Sequence, residues 1–355
     1  MIVGIDGRSL ARGRAERGVA HYTISLTGAL AQHFPGDAWR LLVPGGTAAA
    51  PPGVELRTPR IPRRAAFALG ALAGRPRLDR MAGPADVTWL PAPAPAALSR
   101  DAPFVLTLHD LSFVERPGDY TPYERAWQRL GRLDALARRA TRVMAVSEAT
   151  RAVAIEAWGL DPGRVSVVAP GVTAPAAPPP APPAGLPQPY LLFVDALEPR
   201  KGPDVLARAH ARARRAGLRA ALVVVGTGRV PLSGAGVHHL GTVADRGALE
   251  SLYAGALALV MPSRAEGYGF PPLEAAACGT PSVVSDLPAL RETLGDAALF
   301  VAPGDEGALA EALTHIARDA ELRDRLAAAA AQRAAARTWE GAAHAAHAVL
   351  RDAAG

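Results

Sequence analysis

Half of the residues in APAAPPPAPPAGLPQP (174–189) are proline, and this stretch limits the fold more than any other. Proline carries no backbone N–H and clashes with the preceding helical turn, so the segment can be neither helix nor central strand. It reads as a stiff extended linker. The chain must therefore organise itself separately on each side.

The same pattern occurs on both sides. Short β-branched runs alternate with Ala, Leu and Arg-rich helical stretches, which is the signature of parallel sheets covered by helices. Before the linker, strands are predicted at IVGID (2–6), RLLV (40–43), DVTWL (86–90), FVLTL (104–108), RVMAV (142–146) and VSVV (165–168), with helices over 19–34, 122–140 and 147–158. After it come YLLFVD (190–195), AALVVVG (220–226), VHHL (237–240), ALVMP (258–262) and SVVS (282–285). Residues 306–353 read as almost wholly helical, and the Ala-rich run 327–336 is propensity without chemistry. This gives a domain over 1–173, the linker 174–189, a second domain over 190–337 and a terminal helix over 338–355. Ligands of such sheets bind beyond the carboxyl ends of the strands, so a cleft lined by two such ends is the expected site.

Composition removes several function classes. The 355 residues exceed one ordinary core, and 49% hydrophobic content supports two. Net charge is +6 and the pI is near 10, yet the arginines are scattered, no basic stripe interleaves with aromatics, and asparagine is absent. A GC-rich coding bias accounts for this better than a nucleic-acid partner. The lone Cys278 excludes an internal disulfide or a multi-cysteine metal site and agrees with a cytoplasmic protein. MIVGIDGRSL lacks the basic leader and apolar run of a signal peptide, and no apolar run reaches spanning length. The basic segment 57–80 fits an ordinary surface helix best. A peripheral contact with an anionic membrane at the inner face is its second reading.

Nucleotide chemistry narrows next. Gly226-Thr227-Gly228-Arg229-Val230-Pro231 is the nearest approach to a dinucleotide turn, but it lacks the third glycine and places proline where a helix should open. No Walker A loop exists, because the single lysine, Lys201, is followed by Gly202. The stretch PSRAEGYGFPPLEAAACGTPSVVSD (262–286) carries more. Seven residues separate Glu266 from Glu274, with glycines and prolines between them and a helix predicted to start near Pro272. Gly267 and Gly269 let a ligand approach the backbone, and amides entering a helix favour anionic oxygens. A carboxylate at each end can accept from hydroxyls. A sugar nucleotide suits that set, while a Gly/Pro turn before a helix with a dipole-favoured Glu is the plainer alternative.

These residues resemble the E-x7-E signature of the retaining glycosyltransferases of family 4. IDGRSL with RGVAHYT, TLHDLSF (107–113), AVSEATR (145–151), VDALEPRKG (194–202), LGTVADRGALESLYAGA (240–256) and TWEGAAHAAHAVL (338–350) follow in the family's order and spacing. The resemblance implies an α/β GT-B fold, two Rossmann-like doubly wound parallel-sheet domains facing each other across a cleft, with the C-terminal helix crossing back to the first. It implies Arg200 and Lys201 on the donor diphosphate and Glu266, with Gly267, Tyr268, Gly269 and Phe270, on sugar and phosphate. Glu274 would hold the ribose, and Gly241, Thr242 and Val243 would lie by the base. His109, at the end of an apolar strand, would meet the transferred sugar or the acceptor hydroxyl, and the loop Arg14 to Gly18 would close over the phosphates or acceptor. Lys201 is the only lysine beside 38 arginines. A compact ammonium on a flexible stem is not replaceable by a planar guanidinium at a crowded phosphate.

Two positions depart from the family. Asp195 and Ala20 stand where glycines are common, and Asp195 is expected to turn away from the diphosphate or pair with an arginine. The implied activity is hexosyl transfer, with retention, from GDP-mannose or a UDP-hexose to a glycan, lipid-linked or small-molecule acceptor, by a monomer or homodimer. No cofactor or metal is expected, since no Asp-x-Asp motif occurs and Arg200, Lys201 and helix amides can stabilise the leaving diphosphate. A catalytically silent binding protein and a nucleotide-sugar epimerase of the same fold are the alternatives.

Overall fold

The computed structural model describes residues 1–10, 18–45, 49–59 and 74–355. Within these the chain divides into two compact units. The first comprises Met1–Val114, Tyr120–Gly171 and Thr338–Gly355; the second, Glu115–Asp119 and Val172–Arg337. The predicted segment 57–80 falls largely, and the loop from Arg14 mostly, outside the described residues.

The first unit holds a seven-stranded sheet of β1 (Ile2–Asp6), β2 (Ala38–Leu42), β3 (Val54–Arg57), β4 (Val87–Leu90), β5 (Phe104–Leu108), β6 (Arg142–Ala145) and β7 (Val165–Val167). Their spatial order is β3-β2-β1-β4-β5-β6-β7, every pairing parallel. Its longer helices are α1 (Val19–His33), α2 (Pro122–Gly131), α3 (Leu133–Arg139) and α4 (Glu148–Trp158).

The second unit holds a six-stranded sheet of β8 (Tyr190–Val194), β9 (Ala221–Val225), β10 (Val237–Gly241), β11 (Ala258–Met261), β12 (Ser282–Ser285) and β13 (Ala298–Val301). The order is β10-β9-β8-β11-β12-β13, again parallel throughout. Its helices are α5 (Pro203–Arg215), α6 (Arg246–Ala254), α7 (Phe270–Ala277), α8 (Pro288–Leu294), α9 (Glu306–Arg318) and α10 (Ala320–Ala335). The last helix, α11 (Trp339–Ala354), clusters with the first unit and packs on α1, with Trp339 against His21 and Tyr22 and His344 against His33.

Central strands are buried on both faces, which is why they read as unbroken apolar runs. In β8 and β9, Leu191, Phe193, Leu222 and Val224 join the core with Val205 and Leu206 of α5 and Leu313 of α9. Tyr190, Leu192, Val223 and Val225 point the other way, against Leu252 and Tyr253 of α6 and Ala275 of α7. Each such side chain contributes about 1.5–3 kcal/mol.

The differences from expectation have local causes. The strand β3 was not predicted; it is an edge strand with mostly exposed side chains, so it carries charge and little hydrophobic signal. β13 also went unpredicted, being four residues between an α8 that ends at Leu294 and a Pro-Gly turn. The helix predicted over 122–140 is broken at Arg132, the only described non-glycine residue with a positive φ, +42°. The helix expected to open near Pro272 begins at Phe270, with Pro271 and Pro272 inside its first turn. Residues 174–189 form no helix or strand, and Leu186 packs into the second unit's core.

The turn after β9 is pressed against the segment after β8. Asp195 N donates to Val225 O, Leu197 N to Thr227 O and Val230 N to Leu197 O. Gly226 has φ +145°, and a Cβ there would overlap Asp195 O. The Gly-Thr-Gly sequence thus serves loop packing. Gly226→Ala is expected to destabilise the second unit by about 3 kcal/mol or more, seen as a lowered thermal midpoint. An unchanged midpoint would contradict the packing.

Candidate active site

A parallel sheet leaves a crevice where the strand order reverses, beyond the carboxyl ends of the strands. In the second unit that point lies between β8 and β11, which are neighbours in the sheet. The segments leaving these two strands carry Asp195 to Lys201 and Pro262 to Gly269 respectively.

They are stitched together by backbone and side chain. Gly202 has φ +67° and caps α5; a Cβ there would overlap Pro262 O. Arg264 N donates to Arg200 O at 2.7 Å, the Arg264 guanidinium binds Pro199 O, and it pairs with Asp204 at 2.7 Å. Only glycine at 202 permits this approach.

Between the two segments lies Lys201. Its Nζ is 2.6 Å from Asp195 Oδ2 and 2.6 Å from Glu266 Oε1, and its side chain is 8% exposed. Glu266 Oε1 also accepts from Ser263 Oγ at 2.7 Å, and Asp195 Oδ1 accepts from Ala196 N at 2.7 Å. Burial alone would push the ammonium's pKa down, but the two carboxylates outweigh it and the net shift is upward. Lysine therefore stays charged. Asp195 neither turns away nor meets an arginine: it pairs with Lys201, the side chain it was expected to leave free for a ligand.

The second carboxylate of the pair lies one helix away. Glu274, half-buried on α7, accepts from Tyr253 Oη of α6 at 2.9 Å. Gly269 caps α7, and prolines at its second and third positions leave no N–H there, so fewer amides face the helix mouth than the sequence implied. Gly267, Tyr268 and Gly269 are buried; Arg200 and Phe270 are half-buried. Gly226 N donates to Gly241 O, which sets the β10 exit beside the β9 turn; Thr242 beyond it is exposed and Val243 packs on the core.

In the first unit the order reverses between β1 and β4. His109 follows β5, and its Nε2 is 2.7 Å from Pro91 O, just past β4. A carbonyl only accepts, so Nε2 carries the proton. Burial lowers the imidazole's pKa against the opposing pull of Pro91 O and Asp110, which favours the neutral ring with Nδ1 as acceptor. Tyr22 stands edge-on to the ring at 4.7 Å. After β1, Arg8 grips Asp6 through two nitrogens and donates to Pro95 O; both side chains are buried. That pair, Ser263 and Tyr253 went unnoticed in the sequence, because nothing local distinguishes them from ordinary polar residues. Gly18, with φ +56°, caps α1 and is exposed. Trp339 packs near His21 and Tyr22, in a core role.

Among the described residues one group brings metal-ligand side chains together: His33, Glu340 and His344, whose ligand atoms lie within 4.8 Å of one another on α1 and α11. It contains none of the residues predicted for the site.

Comparison with known proteins decides the family. A model described as Glycosyltransferase Family 4 matches residues 10–174, and one described as Glycosyl transferases group 1 matches residues 188–319. A D-inositol 3-phosphate glycosyltransferase of Frankia alni is 33% identical over 285 residues, 71% of this chain and 69% of its own. This chain belongs to the group 1 glycosyltransferases. An O-antigen chain mannosyltransferase of Salmonella typhimurium is 48% identical, but over 68 residues, 19% of each chain. HepE of Anabaena, solved with UDP and glucose, superposes with a TM-score of 0.69 at 18% identity, covering 99% of each chain. The shared architecture is GT-B: two parallel-sheet Rossmann-like domains. No helix among the described residues of this glycosyltransferase is long and apolar enough to cross a membrane.

Two histidines, the half-buried His109 and the buried His210, give a pH prediction. His109 and His210, the latter with Nε2 3.1 Å from Ala220 O, both have pKa values lowered mainly by burial from the ordinary 6.5. A depressed folded pKa contributes stability that is complete above 6.5 and is lost as pH falls toward the folded values. The thermal midpoint is expected to hold between pH 7 and 8 and to fall below pH 6.5. His210→Gln should flatten that fall; an equally steep fall in the variant would remove His210 from the account.

Proposed function

We propose that this glycosyltransferase moves a hexosyl unit from a nucleoside diphosphate sugar to an acceptor hydroxyl, with the anomeric configuration kept and without a metal ion. The observation that carries this is the position of Lys201: a buried ammonium at the β8/β11 reversal, fixed beside Glu266 and one helix from Glu274. A parallel sheet presents ligands to that point, and an ammonium there is matched to a departing diphosphate.

The roles follow from donor and acceptor chemistry. Arg200 and Lys201 hold the diphosphate, and the charge that develops on it as the glycosidic bond breaks is what they stabilise. Glu266 accepts from sugar hydroxyls, with the backbone from Gly267 to Phe270 alongside. Glu274 accepts from the ribose, and its carboxylate is oriented by Tyr253. Thr242 and Val243 lie by the base. His109, neutral and with Nδ1 as acceptor, suits a hydroxyl of the sugar or the acceptor. Gly18 ends the segment Arg14 to Gly18, whose proposed role is to close over the phosphates or the acceptor. With no nucleophile pair evident, the departing phosphate oxygen takes the acceptor's proton on the same face.

The relatives' names agree with a mannosyl or a UDP-linked hexosyl donor and with a glycan or small-molecule acceptor; a lipid-linked acceptor rests on the family resemblance alone. Work in the cytoplasm, as a monomer or homodimer, completes the reading.

Thermal-shift titration with UDP, GDP and their hexose conjugates tests the donor class: one nucleotide should raise the midpoint with concentration, and none doing so would refute it. Lys201→Ala should lower turnover a hundredfold or more, on the scale of about 3–4 kcal/mol for a preorganised donor, and Lys201→Arg should lose a good part of it. Turnover should be unchanged in EDTA. Donor hydrolysis without acceptor separates an enzyme from a silent binding protein.

A further inference from the structure

Away from the proposed donor site, a cluster of metal-ligand side chains in the first unit joins two helices. His33 is the last residue of α1, and Glu340 and His344 stand in the first two turns of α11. Their i, i+4 spacing puts the α11 pair on one side of the helix. Ala342, Ala343 and Ala346 of α11 are buried, whereas Glu340 and His344 are exposed beside a His33 side chain that is 26% exposed. His33 Nδ1 is 3.9 Å from Glu340 Oε1, and all three ligand atoms lie within 4.8 Å of one another. Phe34 meets the His344 ring edge-on at 5.0 Å, which helps to orient it. His347, the next histidine on α11, is engaged otherwise: it stacks on Phe34 at 3.6 Å, and its Nε2 is 2.7 Å from Asp37 Oδ2.

An ordinary surface ion pair accounts poorly for this trio. The His33–Glu340 approach is loose, and an exposed pair of that kind contributes little. A second imidazole beside the first adds nothing to such a pair, and two protonated rings would repel each other. A cation removes both objections. Two imidazoles and one carboxylate are the donor set of an open zinc site, with water in the fourth position. Tetrahedral zinc with bonds of about 2.1 Å holds its ligand atoms about 3.4 Å apart, so closing on an ion draws these side-chain ends together by about 1.4 Å at most. Exposed side chains cover that distance by small χ rotations. The carboxyl end of α1, where His33 sits, is the negative pole of its dipole and favours a cation. Magnesium and calcium prefer all-oxygen ligand sets, whereas imidazole suits zinc and its neighbours.

We propose that His33, Glu340 and His344 bind a divalent transition-metal ion of the zinc class, and that the ion clamps the start of α11 to the end of α1. The site is structural. It shares no residue with the proposed donor site, and the transfer reaction proceeds without it. Its place in the chain suits a clamp: α10 ends at Ala335, the chain rejoins the first unit at Thr338, and α11 starts at the next residue. The first two turns of α11 are therefore where that return is fastened.

The test uses the full chain without a histidine tag, stripped with a chelator, dialysed and titrated with zinc chloride. Calorimetry should find one zinc per chain, and the thermal midpoint should rise with zinc concentration. Hydrogen exchange should slow at the end of α1 and in the first turns of α11. Magnesium chloride should do none of this. His33→Ala and His344→Ala should each weaken zinc binding by about a hundredfold, since losing a group that merely supports a ligand already costs about ten- to hundredfold. His315→Ala, at an exposed histidine beside Asp319 on α9, should leave zinc binding unchanged. Melts without metal separate loss of a ligand from loss of the fold. Glu340→Gln, which keeps the size of the side chain and removes its charge, should also weaken binding, and it keeps the site testable where a histidine variant does not fold. No zinc binding by the wild type, or binding of unchanged affinity in the folded variants, overturns the site. Zinc binding that leaves exchange in α11 unchanged overturns the clamp.

Discussion

A lysine ammonium taken out of water must meet opposite charge or lose its proton, and the second unit is arranged around the first solution. The effective cost of burying such an ion is several kcal/mol, and removing one member of a buried pair typically costs about 3–5 kcal/mol by stranding the other. Lys201 meets that demand with acids from two segments, Asp195 after β8 and Glu266 after β11. These strands are far apart in sequence but adjacent in the sheet. The ion pair therefore exists only if the strand order is right. Gly202 and Gly226 then follow from the same requirement, because the segments must come within backbone contact for one ammonium to reach both acids.

The first unit solves a related problem without charge. His109 is half-buried beside the Tyr22 ring, with Pro91 O fixing its proton on Nε2. Burial keeps the ring neutral, so its remaining nitrogen is an acceptor at working pH. The nearby Asp6–Arg8 pair is buried but satisfied by three side-chain hydrogen bonds, the Arg8 backbone N–H and the Pro95 carbonyl, which suits support of the β1 turn more than contact with a ligand.

What the sequence disclosed and what it hid divide along a physical line. Central strands such as FVLTL and ALVVV announce themselves because both faces are buried, and a linker half made of proline cannot be mistaken. Lys201, Glu266 and Glu274 were legible because lone residue types and fixed spacing survive a composition dominated by alanine and arginine. The partner of Asp195 was not legible. Side-chain direction after a strand depends on which loop packs opposite, and the segment that brings Glu266 there lies some 65 residues on in the chain. The same reason hid Tyr253 behind Glu274. Arg132 was hidden differently: a left-handed non-glycine residue leaves no compositional trace, so 122–140 reads as one helix although it is two.

Keeping an acid at position 195 has a consequence beyond geometry. A glycine there would leave Lys201 with Glu266 alone, a neutral pair with two donors still available. The aspartate makes the same ammonium more firmly held and less available, since every phosphate oxygen that approaches must compete with a carboxylate already at 2.6 Å. Such a site gives up intrinsic affinity for anions in exchange for a fixed lysine. On the proposed donor reading it would also discriminate, because a ligand that adds hydroxyls for Glu266 and Glu274 would recover what its phosphates lose, whereas a bare anion would not. On that reading the selectivity of the second unit would reside in the balance between one ammonium and the acids around it, the acids favouring a sugar nucleotide over phosphate alone.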